Sequence, residues 1–152
     1  MSGTVIRILE TTNFSFDSVA AVANSEQVVL LAQHIDTSQW RTAGLMVRVV
    51  SLTLPGYAND KVNLLVVNDP WDPMSGTTEY QPVGTYGPII QQSLNPTDGG
   101  TGAPPVSPYG MYVPLSNFGA LLAVALQCTR TASSTQGDNI QIKLNVDLVL
   151  KD

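Results

Sequence analysis

The sequence predicts an all-β protein: an antiparallel β-sandwich of the jelly-roll or Greek-key type, with one long excursion rich in proline, glycine and tyrosine. Three observations predict this fold. Apolar and polar residues alternate over several segments, which puts one face of each strand into a core. Turn residues separate these segments at short intervals, as in sandwiches and barrels. No segment has a clear helical period. At 152 residues the chain is most simply one domain.

The N-terminal part predicts two strands, at residues 4–9 and 27–35, because both segments are rich in β-branched and other apolar residues. Between them, the alanine-rich segment 18–23 is compatible with either a short helical turn or a further strand. The sequence leaves that choice open.

The middle of the chain predicts a strand at residues 43–54 and another at 61–68. In the first, Leu45, Val47 and Val49 share one face, and a bulge near Val49 and Val50 would reset the phase of the residues that follow. Pro55-Gly56 ends this strand with a turn signal. The second is rich in valine and leucine and stops at Asp69-Pro70.

The C-terminal part predicts strands at residues 120–131 and 140–150. Even positions from Ile140 to Leu150 are all apolar, whereas the positions between them are mostly polar. A helix with this pattern would be apolar all round, so the period of two indicates a strand. A polar loop connects the two segments directly, and we therefore expect them to form a hairpin.

The excursion spans residues 70–114 and holds nine of the ten prolines and seven of the twelve glycines. Within it, residues 85–93 and 110–114 are candidate short strands, which proline would restrict to sheet edges. Because the excursion leaves and rejoins the strands, we interpret it as an elaboration of a single domain that covers residues 1–152, either a loop or an extended arm. A stretch of this length without clear regular structure usually has a function.

Charged residues make up 12% of the chain, about half of the roughly 25% typical of soluble domains. Such a chain either covers its surface with uncharged polar residues or buries surface against partners. The net charge is −5 and no run of lysine or arginine occurs, which argues against nucleic acid and against an anionic membrane surface as partners. The longest apolar run, residues 120–126, is too short to span a bilayer.

Residues for catalysis are scarce. Cys128 is the only cysteine and lies in an apolar run, which favours a buried thiol. His34 is the only histidine, with Asp36, Trp40 and Arg41 nearby, and we interpret it as a packed or hydrogen-bonded residue at a strand end. No nucleophile elbow, zinc-protease motif or phosphate-binding glycine loop is present. We therefore expect no enzymatic activity and no cofactor.

Two acidic segments could be compared with calcium loops. Asp69 and Asp72 stand three residues apart and each precedes a proline, and residues 95–100 read Asn-Pro-Thr-Asp-Gly-Gly. Neither has the spacing of a known calcium loop, and aspartates of this kind commonly cap backbone amides in turns. We predict turns and no metal site, with calcium at Asp69 and Asp72 left as the alternative.

Aromatic residues concentrate in the excursion and form the candidate partner interface: Trp71, Tyr80, Tyr86, Tyr109 and Tyr112. They could anchor an interface with neighbouring subunits, stack on carbohydrate, or pin the excursion onto its own domain. The prolines restrict the unfolded chain, so that ordering such a segment on a neighbour costs less entropy. This favours assembly.

Several features together resemble the small β-sandwich virion proteins of tailed phages, of the head-decoration or auxiliary capsid type. They are the Met-Ser-Gly start, the low charge, the overall richness of the β chain in threonine, asparagine and glycine, the proline-, glycine- and tyrosine-rich arm, and the alternating strand at 140–150. The resemblance implies many symmetric copies, bound to one another and to a major capsid or other virion protein, that reinforce a lattice without catalysis. A carbohydrate-binding or receptor-binding module is the alternative. The N-terminus lacks the features of a signal peptide, so we expect synthesis in a host cytoplasm and a place in the virion.

Overall fold

The structure is a computed structural model, which describes residues 2–16, 26–54, 60–68, 89–95, 108–129 and 139–152. In these ranges all regular structure is β-strand. The strands are β1 (Gly3–Phe16), β2 (Glu26–Asp36), β3 (Thr42–Thr53), β4 (Lys61–Asn68), β5 (Ile90–Ser93), β6 (Tyr109–Leu115), β7 (Leu121–Thr129) and β8 (Ile140–Lys151). Among the described residues, no helix has the length and apolar character needed to cross a membrane.

The strands form two antiparallel four-stranded sheets. Sheet 1 has the order β1-β8-β3-β6 and sheet 2 the order β2-β7-β4-β5. The pairing is nested, because β1 pairs with β8, β2 with β7, β3 with β6 and β4 with β5. A long hairpin that closes between β4 and β5 has therefore been rolled so that successive strand pairs lie in alternate sheets. This is the jelly-roll arrangement, and it confirms the predicted antiparallel sandwich.

The two sheets share one apolar core. In β8 the six even-numbered residues from Ile140 to Leu150 are all 0% exposed, and they pack in one cluster with residues of β3, β4, β6 and β7. Full burial of a leucine or isoleucine side chain contributes about 1.5–3 kcal/mol. The alternation in β8 therefore places its even-numbered residues in the core and its odd-numbered residues on the outer face of sheet 1.

Sheet 2 is buried on both faces at its centre. Six consecutive residues of β4, from Val62 to Val67, are buried, as are the seven of β7 from Leu122 to Cys128. On the face turned away from the core, Asn63 Nδ2 donates to Gln127 Oε1 at 3.2 Å. Gln91 Nε2 donates to the same oxygen at 3.1 Å. These amides join β5, β4 and β7 and satisfy polar atoms that would be costly to bury alone.

The predicted hairpin between residues 120–131 and 140–150 is wrong. Those segments are β7 and β8, and they lie in different sheets. Because β7 is apolar on both faces, it occupies the centre of sheet 2, where β2 and β4 fill both of its edges. The edges of β8 are likewise filled by β1 and β3.

The predicted bulge in β3 is confirmed. The register with β8 shifts between Val49 and Ser51, so Val50 is the extra residue. The shift brings Leu52 and Leu54 to the same core as Leu45 and Val49, whereas uninterrupted alternation would turn Leu52 and Leu54 outward.

Two parts of the excursion are strands at sheet edges, as the prolines predicted. Ile90–Ser93 forms the edge of sheet 2 and Tyr109–Leu115, which contains Pro114, forms the edge of sheet 1. Most other predicted strands agree with the structure within two residues. The exception is β1, which was predicted to end at residue 9 and continues to Phe16 through two register shifts. The alanine-rich segment 18–23 lies outside the described residues.

Candidate interaction surface

The outer face of sheet 1 is the most exposed apolar surface in the described part of the chain. Its strands place Arg7, Asp147, Met46 and Tyr112 side by side in one row across the sheet. Three large hydrophobic side chains are strongly exposed among the described residues, namely Val5 at 61%, Met46 at 53% and Tyr112 at 56%. All three lie at outward positions of this sheet. Exposed apolar residues that cluster in this way commonly mark interaction sites.

Tyr112 lies over Gly44, which has no side chain and belongs to the neighbouring strand. A Cβ atom on Gly44 would stand 2.6 Å from Cε2 of Tyr112 and still closer to its Cζ and hydroxyl oxygen. Gly44 is accordingly buried although it faces outward. The ring is therefore held against the sheet by the gap that the glycine leaves, while its other face remains open to solvent.

On this face one arginine forms an ion pair and another does not. The guanidinium of Arg7 donates through Nε to Oδ1 of Asp147 in an ion pair between β1 and β8. Arg48, which is exposed, lies opposite Gly110 on one side and Asn145 on the other. Within the described ranges, its guanidinium has neither an ion pair nor a hydrogen bond.

A groove of about 690 Å³ opens on this face beside Arg48, and its lining includes Met46, Gly110, Tyr112 and Asn145. We call it the Arg48 groove. Gly110 contributes to it by lacking a side chain directly opposite Arg48. Oδ1 of Asn145 is buried and has no hydrogen-bond partner in the described structure. The groove therefore combines an apolar wall with the unpaired guanidinium of Arg48, the unpaired Oδ1 of Asn145 and the carboxylate of Asp147, which is paired with Arg7.

Tyr109 and Tyr112 point to opposite faces of β6. Tyr112 pairs with Met46 on the outer face, whereas Tyr109 pairs with Val49 and packs against the core. Burial raises the pKa of Tyr109 to about 12, and its hydroxyl has no hydrogen-bond partner among the described residues. Tyr109 thus packs β6 against the core, and of these two tyrosines Tyr112 is the exposed one. Trp71, Tyr80 and Tyr86 lie outside the described residues.

The other candidate residues have structural roles where they are described. Ser38 donates from Oγ at 2.6 Å and from its backbone nitrogen at 2.9 Å to the Asp36 carboxylate, which lowers the pKa of Asp36 and closes the turn after β2. His34 lies in a register irregularity of β2 with a φ of 56°. Cys128 is buried in the core, as predicted.

Of residues 95–100, which the sequence predicts to form a turn, the structure describes only Asn95. Its side chain accepts from Val62 N at 3.1 Å and donates to Asp60 O at 2.8 Å. In the described part of the chain, no cluster of three histidine, cysteine or acidic residues could hold a metal ion. Asp69 and Asp72 lie outside that part.

Sequence reasoning missed Gly44, Met46, Arg48, Gly110 and Asn145. The signal was available for Met46 and Arg48, because both alternate with the buried residues of β3 and so had to face outward. The two glycines could not be found in this way, since their role depends on which residues of neighbouring strands stand opposite them.

No protein-family model and no curated protein matches this chain. Two solved structures are similar to nearly all of it. One is the structure of the infectious bursal disease virus Gx strain, with a TM-score of 0.53, 9% identity, and coverage of 98% of this chain and 31% of that chain. The other is the crystal structure of the infectious bursal disease virus VP2 subviral particle, with a TM-score of 0.50, 9% identity, and coverage of 98% and 32%. This chain therefore spans less than a third of the length of either virus protein, and what it shares with them is the fold.

Proposed function

We propose that this chain is a non-enzymatic structural subunit of a virion, which associates with copies of itself and with a major capsid or other virion protein. The jelly-roll topology carries the proposal, because viral capsid domains are among the recurrent uses of this architecture. The similarity to two virus-particle structures over 98% of the chain supports it. The exposed Val5, Met46 and Tyr112 supply a surface suited to assembly.

Within that role we propose a decoration or auxiliary subunit that reinforces a lattice. Size-exclusion chromatography with light scattering, followed by sedimentation with capsids, tests this assignment. We expect a defined oligomer, or protein that sediments with capsids. Closed particles formed by the chain alone would point to a shell-forming subunit instead, and a stable monomer that binds no capsid would contradict the proposal.

The role of the excursion in assembly needs a narrower test than removal of the whole arm. Deleting residues 75–107 would remove β5 and Leu94, which is 0% exposed, and would open an edge of sheet 2. Replacing residues 75–86 with a glycine-serine linker leaves both in place. If the arm binds neighbours, this variant folds and loses assembly. Retained assembly would argue that the excursion does not carry the interface.

A carbohydrate-binding or receptor-binding role is the second candidate, and the Arg48 groove is the observation that favours it. Tyr112 offers a ring face for stacking on a sugar, and Asn145 offers a hydrogen-bond acceptor close by. A glycan array with wild-type and Tyr112→Ala protein separates the two roles. Binding that is lost in the variant supports the second candidate, as would loss on Trp71→Ala or Tyr86→Ala. If the wild-type protein binds no glycan, assembly remains the proposed role.

A further inference from the structure

The central strands of sheet 2 carry buried apolar side chains on the face that points away from the core. Four residues of β4 and β7 are at most 3% exposed, although none of them belongs to the core cluster: Leu65, Val67, Ala123 and Ala125. The register pairs Leu65 with Ala125 and Val67 with Ala123, so the four lie side by side. We call them the outer patch of sheet 2.

No described element covers this patch. Every described strand belongs to one of the two sheets, and sheet 1 packs against the opposite, core-facing side of sheet 2. The described connections near the patch direct their large side chains, Trp40 and Phe118, towards the core. A leucine on the outer face of a sheet reaches 0% exposure only beneath a further layer of chain. Residues outside the described ranges must therefore supply that layer.

Residues 69–88 join sheet 2 at the end where the outer patch lies. They connect β4 to β5, and β4 ends one residue beyond Val67. The other four internal segments outside the described ranges meet sheet 2 at its opposite end, where β2 and β4 begin and β5 and β7 end. They are residues 17–25, 55–59, 96–107 and 130–138. A chain from that end would have to run back along β4 from Lys61 to Val67, about 20 Å.

Residues 69–88 are also much longer than their connection requires. The strands β4 and β5 are antiparallel neighbours, and Ile89 N donates to Val66 O at 2.8 Å directly beside the segment. About two to five residues usually close such a hairpin, whereas residues 69–88 number 20. The segment contains four prolines, no lysine or arginine, and the large side chains of Trp71, Met74, Tyr80, Val83 and Tyr86. This composition suits contact with an apolar surface.

We infer that residues 69–88 fold back over the outer patch of sheet 2 and form the layer that buries Leu65 and Val67. The inference does not depend on the proposed function, but it bears on where partners bind. The outer face of sheet 2 is occupied by the chain itself, and the aromatic residues of this segment serve their own domain. Partners are then met by the outer face of sheet 1, where Tyr112 is exposed.

Nuclear Overhauser effects from methyl groups test the inference on the intact protein. In methyl-labelled wild type, the methyl protons of Leu65, Val67 and Ala123 should show contacts to protons of residues 69–88. A sample that mixes labelled and unlabelled copies separates contacts within one chain from contacts between copies. Contacts only to another of the four segments, contacts only to a second copy, or no contacts to either would overturn the inference.

Two adjacent leucines give an independent test with a matched control. Leu64 and Leu65 are both 0% exposed, but Leu64 belongs to the core cluster and Leu65 to the outer patch. Each is replaced by alanine in the wild type and in a variant that has a four-residue glycine-serine turn in place of residues 70–87. Circular dichroism establishes that each protein folds.

In the wild type, Leu64→Ala and Leu65→Ala should each lower the urea midpoint of unfolding by about 1 M or more, because each leaves a cavity. In the turn variant, Leu64→Ala should keep its shift, whereas Leu65→Ala should lose at least about half of it, since the layer above Leu65 is gone. An equal shift for Leu65→Ala in both backgrounds would show that another part of the chain covers the patch. If the turn variant does not fold, the methyl contacts of the wild type decide.

Discussion

Tyr112 and Gly44 form a pair: the missing side chain at Gly44 makes room for the tyrosine ring, and the ring leaves no room for a larger residue at position 44. The ring of Tyr112 occupies the space where a Gly44 side chain would stand. This large aromatic side chain is therefore held in place although it lies on an exposed face. An interface residue that is already immobilised loses less conformational entropy on binding. The pair therefore suits Tyr112 to serve as an anchor for a partner.

The pair gives a stability prediction that does not depend on assembly. Gly44→Ala forces the new Cβ into the Tyr112 ring and should lower the free energy of unfolding by about 1–3 kcal/mol. In the Tyr112→Ala background the same change should be neutral, or stabilising by about 0.4–1 kcal/mol through the unfolded state.

Urea denaturation of the two single variants and the double variant measures this coupling, and Gly110→Ala is the matched control, because its Cβ meets no side chain. Equal costs of Gly44→Ala in both backgrounds would show that the ring does not rest on the glycine.

Tyr109 makes stability depend on pH at the alkaline end. Its pKa is about 12 in the folded protein and about 10 in an unfolded chain. Between these values the folded state keeps a proton that the unfolded state loses. Its stabilising contribution is thus complete below the unfolded pKa and disappears as pH rises towards 12.

Tyr109→Phe should remove this contribution and also the unpartnered hydroxyl. Thermal unfolding of wild type and variant at increasing pH measures the effect. The melting temperature of the wild type should fall relative to that of Tyr109→Phe as pH passes through the range between the two pKa values. Parallel curves would contradict the burial of the phenol.

Among the strands, β8 and β7 show what the sequence can and cannot predict. The alternation in β8 predicts both that the segment is a strand and which of its faces is buried, because one set of residues is apolar and the other mostly polar. In β7 nearly every residue is buried, so the pattern indicates a strand but carries no information on its neighbours. Its place between β2 and β4 depends on how the whole chain rolls up, and reasoning from the adjacent loop gave the wrong partner.

The strand order predicts a gradient of hydrogen-exchange protection. Amides of β4 and β7 are bonded on both sides, whereas β5 has a single neighbour in sheet 2. Exchange measured by mass spectrometry on dilute protein should therefore be slowest in β4 and β7 and faster in β5. Equal protection of β5 and β7 would contradict the edge position of β5.

Tyr109 and Tyr112 show the limit of composition as a guide to sites. Both were grouped by their place in an aromatic-rich excursion, yet they stand three residues apart, and that spacing places two residues of a strand on opposite faces. Once the segment is identified as a strand, its odd and even positions face opposite sides, and this separates the buried Tyr109 from the exposed Tyr112. The roles of Gly44 and Gly110 can be identified only from the register with neighbouring strands, and no local sequence pattern contains that register.

In the molecule as a whole, charge is scarce, and the basic residues that the structure describes are unevenly placed. The rolled hairpin gathers four of the seven basic residues onto the outer face of sheet 1, although these residues are far apart in sequence. A scan for basic runs finds none of this, because strands from both ends of the chain build the face. The predicted exclusion of nucleic acid rested on the absence of such runs, and it stays a prediction.

The number of copies of this chain in purified particles tests most directly the proposal that it is a structural part of a virion. Quantitative mass spectrometry of virions washed free of loosely bound protein gives that number relative to the major coat protein. We predict many copies per particle, in a fixed ratio to the coat protein. Absence of the chain from washed virions, or a few copies in a variable ratio, would contradict the claim.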